Sequence, residues 1–282
     1  MTRSAQQSPV GSLLREWRQR RRLSQLDLAL SADSSARHLS CVETGRAQPS
    51  RAMVLKLCEA LEVPLRERNT LLLAGGFAPE YRESSLDDAE LAAARTALDA
   101  ILIAHEPYPA VVVDRYWNVV TTNGAMGLFE DEVPDELLTA TPNMYRYALH
   151  PGSTSSTAHL VNHRQVREFL LDRLIRQVRA TGDPILRDLY AEVSQYPVPP
   201  DLESESTATA PSPFAVPLHI RTPMGDLRMF STMVTFGAPS DVTLSELAIE
   251  LFYPLDEFTA AALRSLATGV PVRADGAERN SR

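Results

Sequence analysis

The sequence predicts an all-α N-terminal domain followed by an α+β domain built on a five-stranded antiparallel sheet with helices. Three observations carry that reading. The chain is 282 residues long, which at roughly 100–200 residues per domain makes two domains. Its hydrophobic period is helical to about residue 104 and turns extended from Pro109. Its charge is uneven: net −8 overall, but residues 1–75 carry 12 Lys+Arg against 7 Asp+Glu, net +5, and the remainder is net −13. A basic first quarter on an acidic body is the pattern of a DNA-binding head joined to a ligand-binding or partner-binding body.

The composition, 44% hydrophobic and 23% charged, is that of an ordinary globular chain and excludes a wholly disordered or collagen-like one. No apolar run approaches the ~20 residues that span a bilayer, and MTRSAQQSPV has no apolar signal core. The expected location is therefore the cytoplasm. Two cysteines, Cys41 and Cys58, make no disulfide framework and no C-x-x-C spacing.

In the head, Leu13, Leu14 and Trp17 share one face of a first helix whose other faces crowd Arg15, Arg18, Arg20, Arg21 and Arg22. Ser24 followed three residues later by Asp27 is a capping signal for a second helix, packed through Leu26, Leu28 and Ala29. After a turn at Ala32-Asp33-Ser34, a third helix runs from about Ser35 through Leu39, Val42 and Glu43 to a stop at Gly45. Pro49-Ser50 opens a fourth, with Met53, Leu55, Leu57 and Leu61 available for the core, and a fifth runs from Leu65 to Ala74.

Two short helices around a tight turn form a helix-turn-helix, whose second helix enters the major groove. The string SQLDLALSADSSARHLSCVETGRAQPS (24–50) resembles the XRE, or Cro and phage-repressor, type of regulator. It matches at Ser24-Gln25, Ala29, Leu39, Val42, Glu43, Gly45-Arg46 and Pro49-Ser50, and departs at Asp33, where that family commonly has glycine. Aspartate visits the left-handed region more readily than most residues, so the turn survives. The resemblance implies that Arg37 and Cys41 lie on the groove face of the third helix, with Ser35 and Ala36 at its entrance. Arg37 is then the expected base reader, its planar fork suited to guanine O6 and N7. His38, Ser40, Gln25, Arg46 and Arg51 fall where such motifs meet phosphate, and Arg18 with Glu43 matches a structural clamp. Cys41 reads as a small weakly polar contact to DNA rather than a redox switch.

The body begins after Gly75-Gly76-Phe77-Ala78-Pro79. A long helix is expected over 87–104, then a hairpin of strands at 109–114 and 117–121, helical segments over 123–130 and 159–181, strands at 214–221, 227–236 and 247–253, and a last helix capped by Asp256. The expected organisation is a DNA-binding domain over 1–78, a connecting helix over 79–108, a sheet domain over 109–270 and a disordered tail over 271–282. The segments LLLAGGFAPEYRE (71–83), HEPYPAVVVDRYWNVVTTN (105–123), RATGDP (179–184) and STMVTFGAPSDVTLSELAIELFYP (231–254) resemble the MmyB-like regulators, which join an XRE head to a PAS-like body.

That resemblance implies a small apolar ligand, a fatty acid being the family-level expectation, held between sheet and helices. The candidates for its lining are Trp117, Met126, Phe129, Met144, Val166, Phe169, Leu170, Phe214, Met229, Met233 and Phe236, every one of which also suits an ordinary core. For a carboxylate head group the helix at 159–181 offers Arg164, Arg167, Arg173 and Arg176. The expected partners are duplex operator DNA, the apolar ligand and a second copy of the chain, the helix at 87–104 serving dimerisation and mechanical coupling. No cofactor is expected. His159 and His163, four apart, could share a metal, but His150 is a poor third ligand and no metal site is expected. The chain has no G-x-S-x-G elbow, glycine-rich phosphate loop or H-E-x-x-H, so it reads as a non-enzyme. Two alternatives stay open: a body that processes acyl esters, and an antitoxin-like DNA-binding protein whose body holds another polypeptide.

Overall fold

The computed structural model describes residues 9–129, 137, 141–150, 160–197 and 216–268. The chain divides into two compact units, one of residues up to Ala92 together with Phe236–Glu246, the other of Ala93–Thr235 and the residues from Leu247 on. The sequence places the head at 1–78 with a connecting helix to 108; the compact head extends to Ala92 and takes in an eleven-residue piece from far along the chain.

Among the described residues, the continuous first part of the head carries the α-helices α1 (Pro9–Arg20), α2 (Gln25–Ser31), α3 (Ala36–Glu43), α4 (Arg51–Ala60) and α5 (Leu65–Ala74). Three of them start on a serine whose side chain accepts a backbone N–H three residues on: Ser24 from Asp27, Ser35 from His38 and Ser50 from Met53. At α2 the Asp27 carboxylate answers back to the Ser24 N–H, completing a capping box; the Ser24 hydroxyl first and this N–H second, both donating to the Asp27 carboxylate, hold its pKa below its usual range. Asp33 adopts φ 51°, the left-handed conformation that the turn demands, and Ser34 N–H donates to Ala29 O at 2.8 Å. Val10, Leu14, Trp17, Leu28, Leu39, Val42, Val54, Leu57, Leu61 and Leu72 form the core. Leu26, expected in that core, is exposed; α2 is only two turns long and its inward stripe is filled by Leu28 and Ala29. Gly11 lets α1 approach the end of α3, since a Cβ there would lie 2.2 Å from the Val42 carbonyl oxygen.

The piece at 236–246 completes the head. It carries a one-turn helix, α10 (Val242–Ser245), capped by Asp241, and buries Val242 fully. Val242 N–H donates to Arg82 O at 2.8 Å, Thr243 Oγ1 to Ser84 O at 2.7 Å, and Ser84 N–H to the Asp241 carboxylate at 3.2 Å. Arg66 on α5 grips the Glu246 carboxylate with two nitrogens at 2.8 and 2.9 Å and reaches Glu83 at 2.6 Å. These carboxylates raise the already high pKa of the guanidinium.

The body opens with α6 (Ala92–His105) and carries α7 (Met144–Leu149), α8 (His163–Thr181), α9 (Pro184–Ser194) and α11 (Glu257–Thr268) around one antiparallel sheet. Its strands β1 (Ala110–Val113), β2 (Val119–Thr122), β3 (Leu218–Thr222), β4 (Gly225–Thr235) and β5 (Ala248–Pro254) lie in the order β2-β1-β5-β4-β3. The first hairpin therefore sits beside the last strand, and the five-stranded antiparallel sheet expected from the sequence is present. The β4–β5 register runs from Met229 opposite Pro254 to Thr235 opposite Ala248, so the head's eleven residues occupy the turn of a long hairpin.

Trp117, expected on the second strand, lies in the turn instead, at φ 67°. The cause is Asp114, whose carboxylate accepts from the N–H groups of Tyr116 and Asn118 at 2.8 and 2.9 Å and holds the turn open until Val119. Residues 124–129 form a 3-10 helix rather than an α-helix. Helix α9, missed in the sequence, is announced by Asp183-Pro184, an N-cap followed by proline at the first helical position. The tail at 271–282 lies outside the described residues.

Candidate DNA interface and ligand cavity

On α3, Leu39 and Val42 point into the head core while Arg37 and His38 are exposed and Ser40 and Cys41 half-exposed. Beneath that face, Arg18 of α1 meets Glu43 at the end of α3 through two parallel bonds, Nε to Oε1 at 2.7 Å and Nη2 to Oε2 at 2.9 Å. The third arm of the fork, Nη1, donates to Leu23 O at 2.8 Å, and Gln25 Nε2 donates to Glu43 Oε2 at 2.8 Å. Glu43 is 3% exposed. One buried carboxylate thus ties α1, α2 and α3 together and fixes the angle at which α3 is presented.

Not every basic residue of the head is available to phosphate. Arg21 donates to Leu61 O and Glu62 O, closing the C-terminus of α4, and stacks on Trp17. Arg51 is paired with Glu80. Arg46 is exposed, with Nε bonded to Thr44 Oγ1 at 3.0 Å. Gln25 points its amide at Glu43. Ser35 caps α3 and Ala36 is half-buried beside it. Cys41 is half-exposed, whereas Cys58 is buried and its thiol is pushed up to about 12 by desolvation.

In the body, Met126, Phe129, Met144, Tyr147, Ala148, Leu160, Val166, Leu218, Ile220 and Phe252 line a partly open cavity of about 90 Å³ between sheet and helices. The lining is apolar. Its one phenol, Tyr147, donates to Phe129 O.

A family model described as the MmyB-like transcription regulator ligand binding domain matches residues 94–266, more than half of the chain. The chain belongs to the MmyB-like transcription regulator family. A helix-turn-helix domain model matches residues 9–71 of this MmyB-like regulator, spanning α1 to the middle of α5. No curated protein matches it. With a DNA-binding helix-turn-helix and a ligand-binding domain, the MmyB-like chain is a ligand-sensing transcription regulator. Among its described residues, no helix is long and apolar enough to cross a membrane, and no group of three His, Cys, Asp or Glu could hold a metal ion.

The cavity of the MmyB-like body gathers Met126, Phe129, Met144 and Val166 from the expected lining. Trp117 is buried away from it, its indole N–H on Gln177 Oε1 at 2.8 Å and its ring under Arg173 at 4.1 Å. Phe169 packs against Arg173, and Leu170 and Met229 belong to the surrounding core. Met233 is 40% exposed because β4 runs beyond Met229, the last residue paired with β3. Phe236 belongs to the head unit. Phe214 and His159 lie outside the described residues.

Sequence reasoning missed Tyr147, Ala148, Leu160, Leu218, Ile220 and Phe252. The alternation of Leu218 and Ile220 is a readable strand-face signal; α7 offers only the Asn143 cap, whose carbonyl accepts from Tyr145 and Arg146.

The four α8 arginines expected to meet a carboxylate, Arg164, Arg167, Arg173 and Arg176, all have partners within the regulator. Arg164 lies near Glu168 and Arg176 pairs with Asp172, both on the surface. Arg167 donates to Val193 O and Ser194 O. Arg173 donates to the Tyr145 hydroxyl at 2.9 Å and lies 3.8 Å from Glu250.

Proposed function

We propose that this regulator binds operator DNA as a homodimer through α3, in the cytoplasm, and that a small apolar molecule of the fatty-acid class held in the body shifts its affinity for DNA. The observation that carries the proposal is the apolar cavity within the matched ligand-binding domain. Its chemistry favours a sensor over a catalyst, since the described lining offers no convergent polar groups. At about 90 Å³ it is well below the roughly 300–1,000 Å³ that encloses a drug-sized molecule. A longer chain enters by displacing side chains, and Met126 and Met144 are adaptable ones. The ligand shifts DNA affinity to the extent that it binds one arrangement of the body more tightly than the other. Phe252, on the cavity wall, follows Glu246 by six residues, so a displaced β5 pulls directly on the piece built into the head.

The test is to titrate operator DNA against apo and fatty-acid-loaded protein at fixed salt, with mass followed by light scattering. The expected result is a particle of twice the 31.1 kDa chain mass, to suit half-sites one helical turn apart, ~34 Å, and a displacement of the curve worth about 1–3 kcal/mol. Superimposed curves with ligand binding confirmed, or a monomer on the operator, would contradict it.

Arg37 supports the groove assignment by its exposure on α3. Arg37→Ala is expected to lose about 1–3 kcal/mol of discrimination between cognate and mutated half-sites, whereas Arg46→Ala weakens all sequences alike. Competition binding on matched and mismatched duplexes checks both.

A further inference from the structure

The His163 imidazole is 1% exposed and neither of its nitrogens has a hydrogen-bond partner. Buried polar groups are nearly always bonded, and a buried imidazole with both nitrogens bare is destabilising where leucine would serve. The residue stands first in α8. Val166, one turn on, lines the cavity, and so does Leu160, three residues before. Spacings of three, four and four put His163, Val166, Leu170 and Leu174 on one helical face, the face turned to the core. The preceding Asn162 cannot satisfy the imidazole, because its amide serves β3: Nδ2 donates to Pro217 O at 2.6 Å and Oδ1 accepts from His219 N–H at 3.0 Å. Nor does Asn162 cap the first turn of α8 with its side chain. An orphaned imidazole thus stands at the uncapped start of a nineteen-residue helix, between the lining residues Leu160 and Val166 in sequence though not itself on the wall of the unfilled cavity, and Arg167 and Arg173 of the same helix already have partners.

We propose that an occupant enlarging the cavity past Leu160 and Val166 reaches His163, which then serves as its polar anchor, taking the oxygen head group, hydroxyl or carboxyl, of an amphiphile whose alkyl chain lies along Met126, Phe129 and Ile220. The assignment rests on the cavity being the sensor site. Desolvation, reinforced by the nearby Arg167 charge, holds the His163 pKa below its usual value. A neutral ring presents one N–H donor and one bare nitrogen, so it serves a hydroxyl from either side and gives its N–H to a carboxylate. Arg167, itself held by the carbonyls of Val193 and Ser194, keeps a positive charge nearby that favours the anionic head over a cationic one.

The experiment compares the full-length protein with its His163→Phe and His163→Gln variants, using 1-hexanol, hexanoate and hexane as probes and following binding by NMR with labelled histidine. In the parent, hexanol, hexanoate or both move the His163 ring resonance, and hexane does not. In His163→Phe, affinity falls about fivefold for hexanol and about thirtyfold for hexanoate, hexane is unaffected, and His163→Gln restores part of the hexanol affinity. The unliganded Phe variant melts about 2–4 °C higher than the parent, because an unsatisfied polar group has been removed; a merely structural histidine would lower it. A response to hexanol alone identifies a hydroxyl head and a response to hexanoate alone a carboxyl head, each supporting the assignment. Equal binding by parent and Phe variant overturns the assignment and leaves the sensor reading intact. Binding of no probe by the parent overturns both.

Discussion

Glu43→Ala is expected to lower the stability of the head by about 4 kcal/mol, a large part of the about 5–15 kcal/mol that whole domains hold. The substitution removes both acceptors of the Arg18 fork and the acceptor of Gln25. It leaves a guanidinium 12% exposed with no counter-charge, and an unpaired buried charge is what makes such substitutions costly. Any weakening of DNA binding by this variant would reflect the loosened seat of α3 rather than a lost base contact. The measurement is urea unfolding followed by Trp17 fluorescence in a Trp117→Phe background, Trp17 being buried in the head core. The pair of changes Arg18→Met and Glu43→Leu should recover much of the loss, since buried ion pairs are often replaced by apolar pairs at little cost. A single-variant loss below about 1 kcal/mol, the worth of a surface pair, would show that the clamp is not what joins the three helices.

Asn123→Ala should destabilise the body by about 3 kcal/mol. The Asn123 side chain is buried and bonds in both directions: Oδ1 accepts from Ala110 N–H at 2.9 Å, and Nδ2 donates to Tyr108 O at 2.8 Å. It also donates to Leu102 O at 3.4 Å, so one amide joins the end of α6, the start of β1 and the exit from β2. Alanine leaves the partners of these bonds unsatisfied where water does not reach. Asn123→Asp is the sharper variant. It keeps the acceptor for Ala110 but turns an oxygen on the Tyr108 carbonyl, so it should be at least as destabilising as alanine. Thermal unfolding of the body, read through Trp117 in a Trp17→Phe background, decides between a pinning residue and a tolerant one.

Both residues were visible in the sequence, Glu43 through its place in the helix-turn-helix string and Asn123 at the close of DRYWNVVTTN. The head as a whole was legible because its signals are local: Ser24, Ser35 and Ser50 each mark a helix start within three residues, and α5 lies where it was expected. The strands of the body were legible from their period. The cavity was not, because its wall is assembled by register. Ile220 pairs with Leu227 and Phe252 with Ser231, each pair sharing one face of the sheet, and only the settled sheet says which residues of that face border the cavity. Helix α9 carries a local signal of the same kind, an Asp183 cap followed by Pro184 at its first position. The short α10 could not have been assigned to the head from sequence at all, since nothing in SDVTLSELA names Arg66 or Ser84 as its neighbours.

The borrowed hairpin turn also bears on how such proteins can be taken apart or recombined. A fragment ending at Ala92 would carry Arg66 with Glu83 but without Glu246, would leave both backbone groups of Ser84 without the partners they have here, and would expose the site filled by Val242. A body cut from 93 onward would drag eleven residues of another unit's packing with it. A single crossover between two related genes therefore never exchanges a whole head for a whole head. Partners for Arg66 and Ser84 must arrive from the far side of the sheet strands, so the head's own packing is inherited together with the strands of the body as one linked trait rather than as an interchangeable module.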